Sequence, residues 1–500
     1  MRRFIGRSLA CLLLAAMLVG TVPAWAVSTG FTDVPADSWA AADIRRCVEL
    51  GLFQGETPTR FGKGHQMTRA AFTVVLCRLF GWDMETPETG TYADVQDTGA
   101  WYFSAVETAC AHGAITRQTE NFRPQAPITR EEMAVMLVRA LGWGTIAGLA
   151  QDLPMPFTDV STNVGYISMA YELGIVNGTS AATFSPDRTA TREQAAVMLM
   201  RVYDKYRAAA PSLVGIAAGG AGDWSGYEAV AITGGRLALA AGRVQVAGPS
   251  AERAEALRSA ARAAGAKALL HVTGGSTALQ GKPVEIAEAL AQAAADYDGV
   301  YLDLPQLADN LRTALTETVA ALGEKLGEKL LYVTAEAPSW RGKTYAAYDY
   351  AALASSADRL VLRIEPYQKE SGGFTAAPPE PLEEVYYALA ELRGVVPAEK
   401  LSLRLTTTGI QWKNGKQVSD ANAGQIETLL ADGKYTDQHY ANRYACAYLV
   451  QATPNSTVSV WYLDRQAAEA RRRLAAFFGV DQIWLSDLSS VSGQLLDGLR

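Results

Sequence analysis

A segment of roughly sixty residues occurs three times in succession, and this self-similarity limits the first half of the chain more than any other feature. Phe31-Thr32-Asp33-Val34 returns as Tyr92-Ala93-Asp94-Val95 and again as Phe157-Thr158-Asp159-Val160. Thr68-Arg69 returns as Thr129-Arg130 and Thr191-Arg192, so the arginines stand 61 and 62 residues apart. In each copy the Asp is expected to cap a following helix. That helix holds Trp39 in copy one and Trp101 in copy two, and it stops at Gly51, Gly113 or Gly174 through a left-handed residue. A loop with Phe61, Phe122 or Phe184 follows. The Thr then caps a second helix, whose apolar face in copy one is Phe72, Val75, Leu76 and Leu79. One helix pair cannot bury such a face alone, so the three copies must pack together.

The first residues point to export. Arg2, Arg3 and Arg7 form a basic start, residues 9–22 an apolar core, and Ala24-Trp25-Ala26 a small-x-small cleavage site. Residues 1–26 therefore read as a signal peptide. No second apolar run is long enough to span a membrane, so the mature chain is expected to have no span. The net charge of −7 comes without a basic tract, which argues against nucleic acid as a partner. Cys11 leaves with the signal. Cys47, Cys77, Cys110 and Cys446 are too few for a disulfide framework and lack metal-ligand spacing. Cys47 and Cys110 read as buried free thiols, with a Cys47–Cys77 bridge left open. No metal or other cofactor is expected.

The segments FTDVPADSWAAADI, FRPQAPITREEMAVMLVRALG and FSPDRTATREQAAVMLMRVY resemble the S-layer homology family over about residues 28–206. The resemblance implies an all-α trimer of helical repeats (28–85, 90–145 and 155–206) made by one chain. It further implies binding of a pyruvylated secondary cell-wall polysaccharide in grooves between repeats, hence a secreted protein held at the bacterial cell wall. A ketal-linked pyruvate presents a planar carboxylate, and the Arg fork suits it bidentately. Arg69, Arg130 and Arg192 match the family's TRAE arginine, and Trp39 and Trp101 can stack on sugar faces. The bland alternative has each Arg serving helix geometry or pairing with Glu131 or Glu193. The copies are unequal: Ala71 stands where the motif has Glu, and copy three has only Val164 and Tyr166 near the Trp position.

Composition shifts at a linker, residues 207–212. From 213 to 500, apolar runs alternate with helical patterns, which argues for βα units and a parallel sheet. Eight strands are expected near 213–217, 229–233, 268–272, 299–304, 330–335, 359–365, 401–407 and 482–486, with helices over 252–264, 284–296 and 310–325. Eight strands over this length fit a (β/α)₈ TIM barrel, with little room for a helix between the first two. Barrel sites lie at the C-terminal strand ends.

Read there, the chain resembles glycoside hydrolase family 18. YDGVYLDLP stands at the family's DxxDxDxE strand, HVTGG at its SxGG strand, and VDQIWLSDL at its Trp-bearing eighth strand. The resemblance implies an N-acetylated glycan, such as peptidoglycan or a chitin-like chain, as ligand. Asp298 and Asp303 match two motif aspartates. Tyr301 replaces the third, and Pro305 replaces the general-acid Glu. General acid catalysis is worth about 10²–10⁴-fold, so the barrel is expected to bind glycan without efficient cleavage. Trp484, Tyr301 and Asp303 are the candidate glycan contacts. Trp340 and Trp412 offer further stacking surface. An active hydrolase with displaced acids, for which Glu336 and Glu365 are candidates, is the alternative; a purely structural part of the surface layer is another.

Overall fold

The computed structural model describes residues 30–117, 119–149, 155–339, 345–364, 378–432, 437–442 and 444–500. The signal segment, Trp340 and Glu365 lie outside the described residues. The chain divides into two compact units. The first comprises Met1–Leu141, Pro156–Ser161 and Ile175–Tyr203; the second comprises Gly142–Met155, Thr162–Gly174 and Asp204–Arg500.

The repeats form the expected helix pairs. Ala41–Glu49, Phe103–Ala111 and Val164–Glu172 are the first helices, and Arg69–Phe80, Arg130–Ala140 and Arg192–Tyr206 the second. Gly51, Gly113 and Gly174 follow the first helices at φ of 69°, 70° and 68°, the left-handed stop that only Gly takes without strain. Thr68 and Thr129 cap the second helices, Thr129 in a capping box with Glu132.

Asp33, Asp94 and Asp159 do not cap helices. Ala41, the first residue of its helix, comes eight positions after Asp33, too far for a cap. These carboxylates instead hold the Phe loops. Asp33 accepts from the amides of Phe61, Gly62 and Lys63 at 2.7–2.9 Å. Asp94 accepts from Phe122 and Arg123, and Asp159 from Phe184 and Ser185. Burial would raise the Asp33 carboxyl, but the amide bonds outweigh it and lower the value.

Each held Phe then meets the Arg of another repeat. Arg69 Nε donates to the Phe122 carbonyl (2.7 Å), Arg130 Nε to Phe184 (2.9 Å) and Arg192 Nε to Phe61 (2.9 Å). The guanidinium carbons lie 4.7–4.9 Å from the same rings. Copy one thus grips copy two, copy two grips copy three, and copy three grips copy one. A backbone triangle closes beside it: Met67 N to Ala190 O, Ala190 N to Ile128 O, and Ile128 N to Met67 O, at 2.8–2.9 Å.

The division of the chain runs through repeat three. Helix Val164–Glu172 clusters with the second unit, where Glu172 pairs with Arg393 at 2.8 Å and Trp143 packs edge-on against Phe477. The compact units therefore do not part at the expected linker, residues 207–212.

The second unit is the expected barrel. Its strands are β1 Ser212–Ala217, β2 Tyr227–Ala240, β3 Arg243–Ala247, β4 Lys267–Thr273, β5 Gly299–Asp303, β6 Leu330–Glu336, β7 Arg359–Arg363 and β8 Leu401–Leu405. An insertion follows: β9 Gly409–Lys413, β10 Lys416–Ala421, β11 Asp437–Ala441, β12 Cys446–Thr453 and β13 Ser456–Tyr462, before the closing strand β14 Gln482–Leu485. The parallel order β1-β14-β8-β7-β6-β5-β4-β2 is closed by β1–β2 pairing, and β3 adds an antiparallel edge to β2. β1 passes to β2 without a helix. The barrel interior packs Val214, Ala231, Leu269, Tyr301, Tyr332, Val361 and Trp484.

The insertion is a five-stranded antiparallel sheet, order β10-β9-β13-β12-β11. Helix Ala423–Ala431 covers one face, with Ile426 against Ala447, Leu449 and Val460. It was not expected from the sequence. Cys47, Cys77, Cys110 and Cys446 are free thiols. Cys47 is fully buried and Cys110 half-buried; burial pushes their thiols up to about 12 and about 11.

The ring predicts that its three links are of equal weight. Phe61, Phe122 and Phe184 are each at most 1% exposed. Phe122→Ala should cost about 3–5 kcal/mol in urea unfolding of the mature chain. The Phe61 and Phe184 counterparts should match it; a variant with no cost would break the ring argument.

Candidate functional site

Two places gather chemistry. In the helical unit the three arginines are not open forks. Besides the Phe carbonyls, Arg130 Nη2 donates to Asn177 O at 2.7 Å and Arg192 Nη2 to Gln54 O at 2.8 Å. Arg69 Nη1 meets the Glu132 carboxylate, and Glu56 lies 3.9 Å from Arg192 Nε. The arginines therefore tie the repeats together. Glu193, named as an alternative partner from the sequence, accepts the Gly64 amide at 2.9 Å and adds its charge near Arg192. Trp39 and Trp101 are 63% and 62% exposed, far more than a core Trp.

In the barrel, the motif residues at the C-terminal strand ends form one buried polar network. Thr334 Oγ1 donates to Asp303 Oδ1 at 2.7 Å and so must accept from the Tyr301 hydroxyl, also at 2.7 Å. Asp303 Oδ2 takes His271 Nε2 at 3.1 Å and Arg404 Nη1 at 3.2 Å. Burial alone would raise the Asp303 carboxyl. The His271 hydrogen bond, the Arg404 charge and Thr334 together hold it well below the usual carboxylate range. A general acid needs a raised value. Asp303 has the reverse, with donors on both oxygens, and is 6% exposed.

Several candidates change role. Asp298 is no catalytic remnant: its carboxylate accepts the Ala268 amide at 2.8 Å at the strand starts, the opposite end from the mouth. Asp358 makes the same tie to Leu331. Trp484 is no sugar floor. It is fully buried, with Tyr301 at 4.3 Å, Tyr332 edge-on at 5.3 Å and its indole N–H on Gln482. Tyr301 is equally buried, between Trp484 and His271. Both rings sit on the inward-facing strand positions and are core rather than glycan contacts. Trp412 lies half-buried on β9 of the insertion.

Glu336 ends β6, fully buried, two residues past the Thr334–Asp303 contact and so level with Pro305. Its Oε1 takes the Gln306 amide at 3.1 Å and Arg363 Nη1 at 3.2 Å. Sequence reading missed Arg404 and His271 as members of the network. The alternation in Leu401-Ser402-Leu403-Arg404-Leu405 could have exposed Arg404, since a charge on an inward strand position needs a buried partner.

With this geometry in hand, residues 30–73, 91–134 and 156–196 match the S-layer homology domain. The chain carries an S-layer homology triple repeat. An amylopullulanase of Thermoanaerobacterium thermosulfurigenes is 33% identical over 181 residues, 35% of this chain and 10% of that protein. An S-layer protein of Bacillus thuringiensis subsp. finitimus is 31% identical over 197 residues, 38% of this chain and 24% of that one. The chain thus spans a small fraction of the relatives it matches. The triple repeat is a module of cell-wall and cell-surface proteins, and it locates the chain there. For the second unit, a chitinase from Chromobacterium violaceum shares the fold at a TM-score of 0.51 and 19% identity, over 58% of this chain and 99% of that one. The second unit therefore has the barrel fold of that chitinase. Among the described residues no helix is long and apolar enough to cross a membrane.

Asp303→Asn should cost about 3–5 kcal/mol, as expected for breaking a buried charge pair. The Asp303 carboxyl titrates lower in the folded than in the unfolded chain, so its stabilisation is complete above about pH 4. It is lost as pH falls through the depressed folded value. The gap between the natural chain and the variant in urea titrations should therefore be constant from pH 5 to 8 and shrink below about pH 4. A gap that persists into strong acid would contradict the network.

Proposed function

We propose that the triple repeat tethers this protein to a pyruvylated secondary wall polysaccharide, and that the barrel holds N-acetylated wall glycans without cutting them efficiently. The observation behind the second part is the state of the acid positions. Pro305 has no proton to give, and Asp303 is locked ionised by His271, Arg404 and Thr334. The aromatic pair Tyr301–Trp484, closed on itself, removes the stacking floor as well. Any glycan must then rest above this layer, on the rim of the mouth and the insertion.

A second reading, an active wall or chitin-type glycosidase, draws support from the chitinase fold itself. It also draws support from the Glu336 carboxylate at the level of Pro305. That route requires Glu336 to leave Arg363 and act as the acid.

One experiment separates the two. The mature chain would be incubated with N-acetylglucosamine oligomers and with peptidoglycan, following released reducing ends and glycan retained on the protein. The binding reading expects retention without turnover, in the natural chain and in Pro305→Glu alike, because Tyr301 still covers Trp484 and Asp303 stays engaged. Turnover by the natural chain that falls about 10²-fold or more in Glu336→Gln, the scale of a lost general acid, would establish the glycosidase instead. Neither retention nor turnover would leave the barrel a structural part of the surface.

A further inference from the structure

The three repeats end their second helices differently, and there copy three leaves the pattern. Helices Arg69–Phe80 and Arg130–Ala140 are followed by Gly81 and Gly142, both at positive φ. Asp204 holds that place in copy three, and the helix runs on to Tyr206. The next residue, fourteen after Thr68, Thr129 and Thr191, is Trp82, Trp143 and Lys205 in turn.

In copy one this position is closed among the repeats themselves. Trp82 stacks on Phe80 at 5.1 Å and on His112 at 4.2 Å. In copies two and three it is turned onto one barrel residue, Phe477, at the end of helix Arg465–Phe477. Trp143 meets the Phe477 ring edge-on at 4.9 Å. Lys205 Nζ donates to the Phe477 carbonyl at 2.7 Å and lies 5.7 Å from its ring. One residue on, the Tyr206 ring lies 4.4 Å from the guanidinium carbon of Arg473, on the same barrel helix.

Helix Val164–Glu172 enters the same seat. Glu172 pairs with Arg393 at 2.8 Å, whereas its counterpart Glu49 in copy one pairs with Arg45 inside its own helix. The Glu172 charge also acts on the buried Tyr386 hydroxyl of helix Leu382–Leu392. Leu173 is fully buried, whereas Leu50, at the same place in copy one, is 42% exposed. Helix Gly144–Leu149, which has no counterpart between copies one and two, packs against Val164–Glu172. Trp143, Glu172, Leu173, Lys205 and Tyr206 all belong to the barrel's compact unit.

Helix Val164–Glu172 has little of its own to stand on. Its nine residues fall short of the roughly 12–15 at which an isolated helix becomes even marginal. Val164, Gly165, Tyr166 and Ile167 open it with weak helix formers. Its order has to come from what it packs against.

We propose that barrel helices Leu382–Leu392 and Arg465–Phe477 are the partner that holds the first helix of the third repeat, so that a chain has a complete third repeat only when its barrel is folded. The barrel is thereby part of the tether as well as its cargo. What this means for wall attachment rests on the tether reading; the seat itself does not.

The test is hydrogen exchange, followed by mass spectrometry, on the full mature chain. Lys205→Met with Arg393→Gln removes two polar contacts of the seat. Exchange over Val164–Glu172 should quicken about tenfold, the order of one lost charge-assisted hydrogen bond. Ala41–Glu49, Phe103–Ala111 and barrel strand β5 should exchange as before. Phe477→Ala should quicken Val164–Glu172 about a hundredfold or more. If Phe477→Ala also loosens the barrel, Val164–Glu172 must loosen with it. An unchanged Val164–Glu172 in either variant, or equal quickening of all three first helices, would overturn the inference. Retention of the same samples on purified walls tests the tether reading separately: a natural chain that is not retained would sink that reading and leave the exchange result standing.

Discussion

The helical unit depends on one relay: a carboxylate holds a loop by its amides, the loop offers a Phe carbonyl and ring, and an arginine from another repeat takes both. Asp33, Phe61 and Arg192 form one link; Asp94, Phe122 and Arg69 the next; Asp159, Phe184 and Arg130 the last. A helix pair buries too little apolar surface to stand alone. The relay supplies the missing specificity by making each repeat's loop the binding site for its neighbour's arginine. Because the links run one to two, two to three and three to one, the set closes and no repeat is left with an unfilled partner.

The relay leaves the three arginines unequally satisfied. Each guanidinium has five N–H groups. In Arg130, Nε and one Nη2 hydrogen are committed to carbonyls, so its charge is buried but only partly answered. Carbonyl dipoles satisfy hydrogen bonds without cancelling a full charge. Arg69 is answered more fully, by the carboxylate of Glu132.

Legibility in the sequence follows from redundancy. The repeats were readable because Gly51, Gly113 and Gly174, or Thr68, Thr129 and Thr191, say the same thing three times. Asp33 was misread because an Asp ahead of a helix is ordinarily its cap. Its true partners lie 28 to 30 residues downstream, and nothing local marks them. The eight barrel strands were readable as apolar runs between helices. The insertion was not, since β10 (Lys416–Ala421) is polar and almost fully exposed, and strands like it look like loop. Cross-strand contacts such as Tyr448 on Trp461 become visible only once register is known.

The barrel shows how residues at motif positions can be drawn into one buried network. Tyr301, in place of an aspartate, puts a ring into the barrel centre, where it covers Trp484 and gives its hydroxyl to Thr334. Thr334 passes that bond to Asp303, whose charge is answered by His271 and Arg404. Every one of these groups needs the others, since a buried charge or hydroxyl left alone is costly. Restoring Glu at position 305 would therefore return a proton donor, but not a free Asp303 or an open Trp484. Opening Trp484 would first require removing Tyr301, because its ring lies against that face at 4.3 Å.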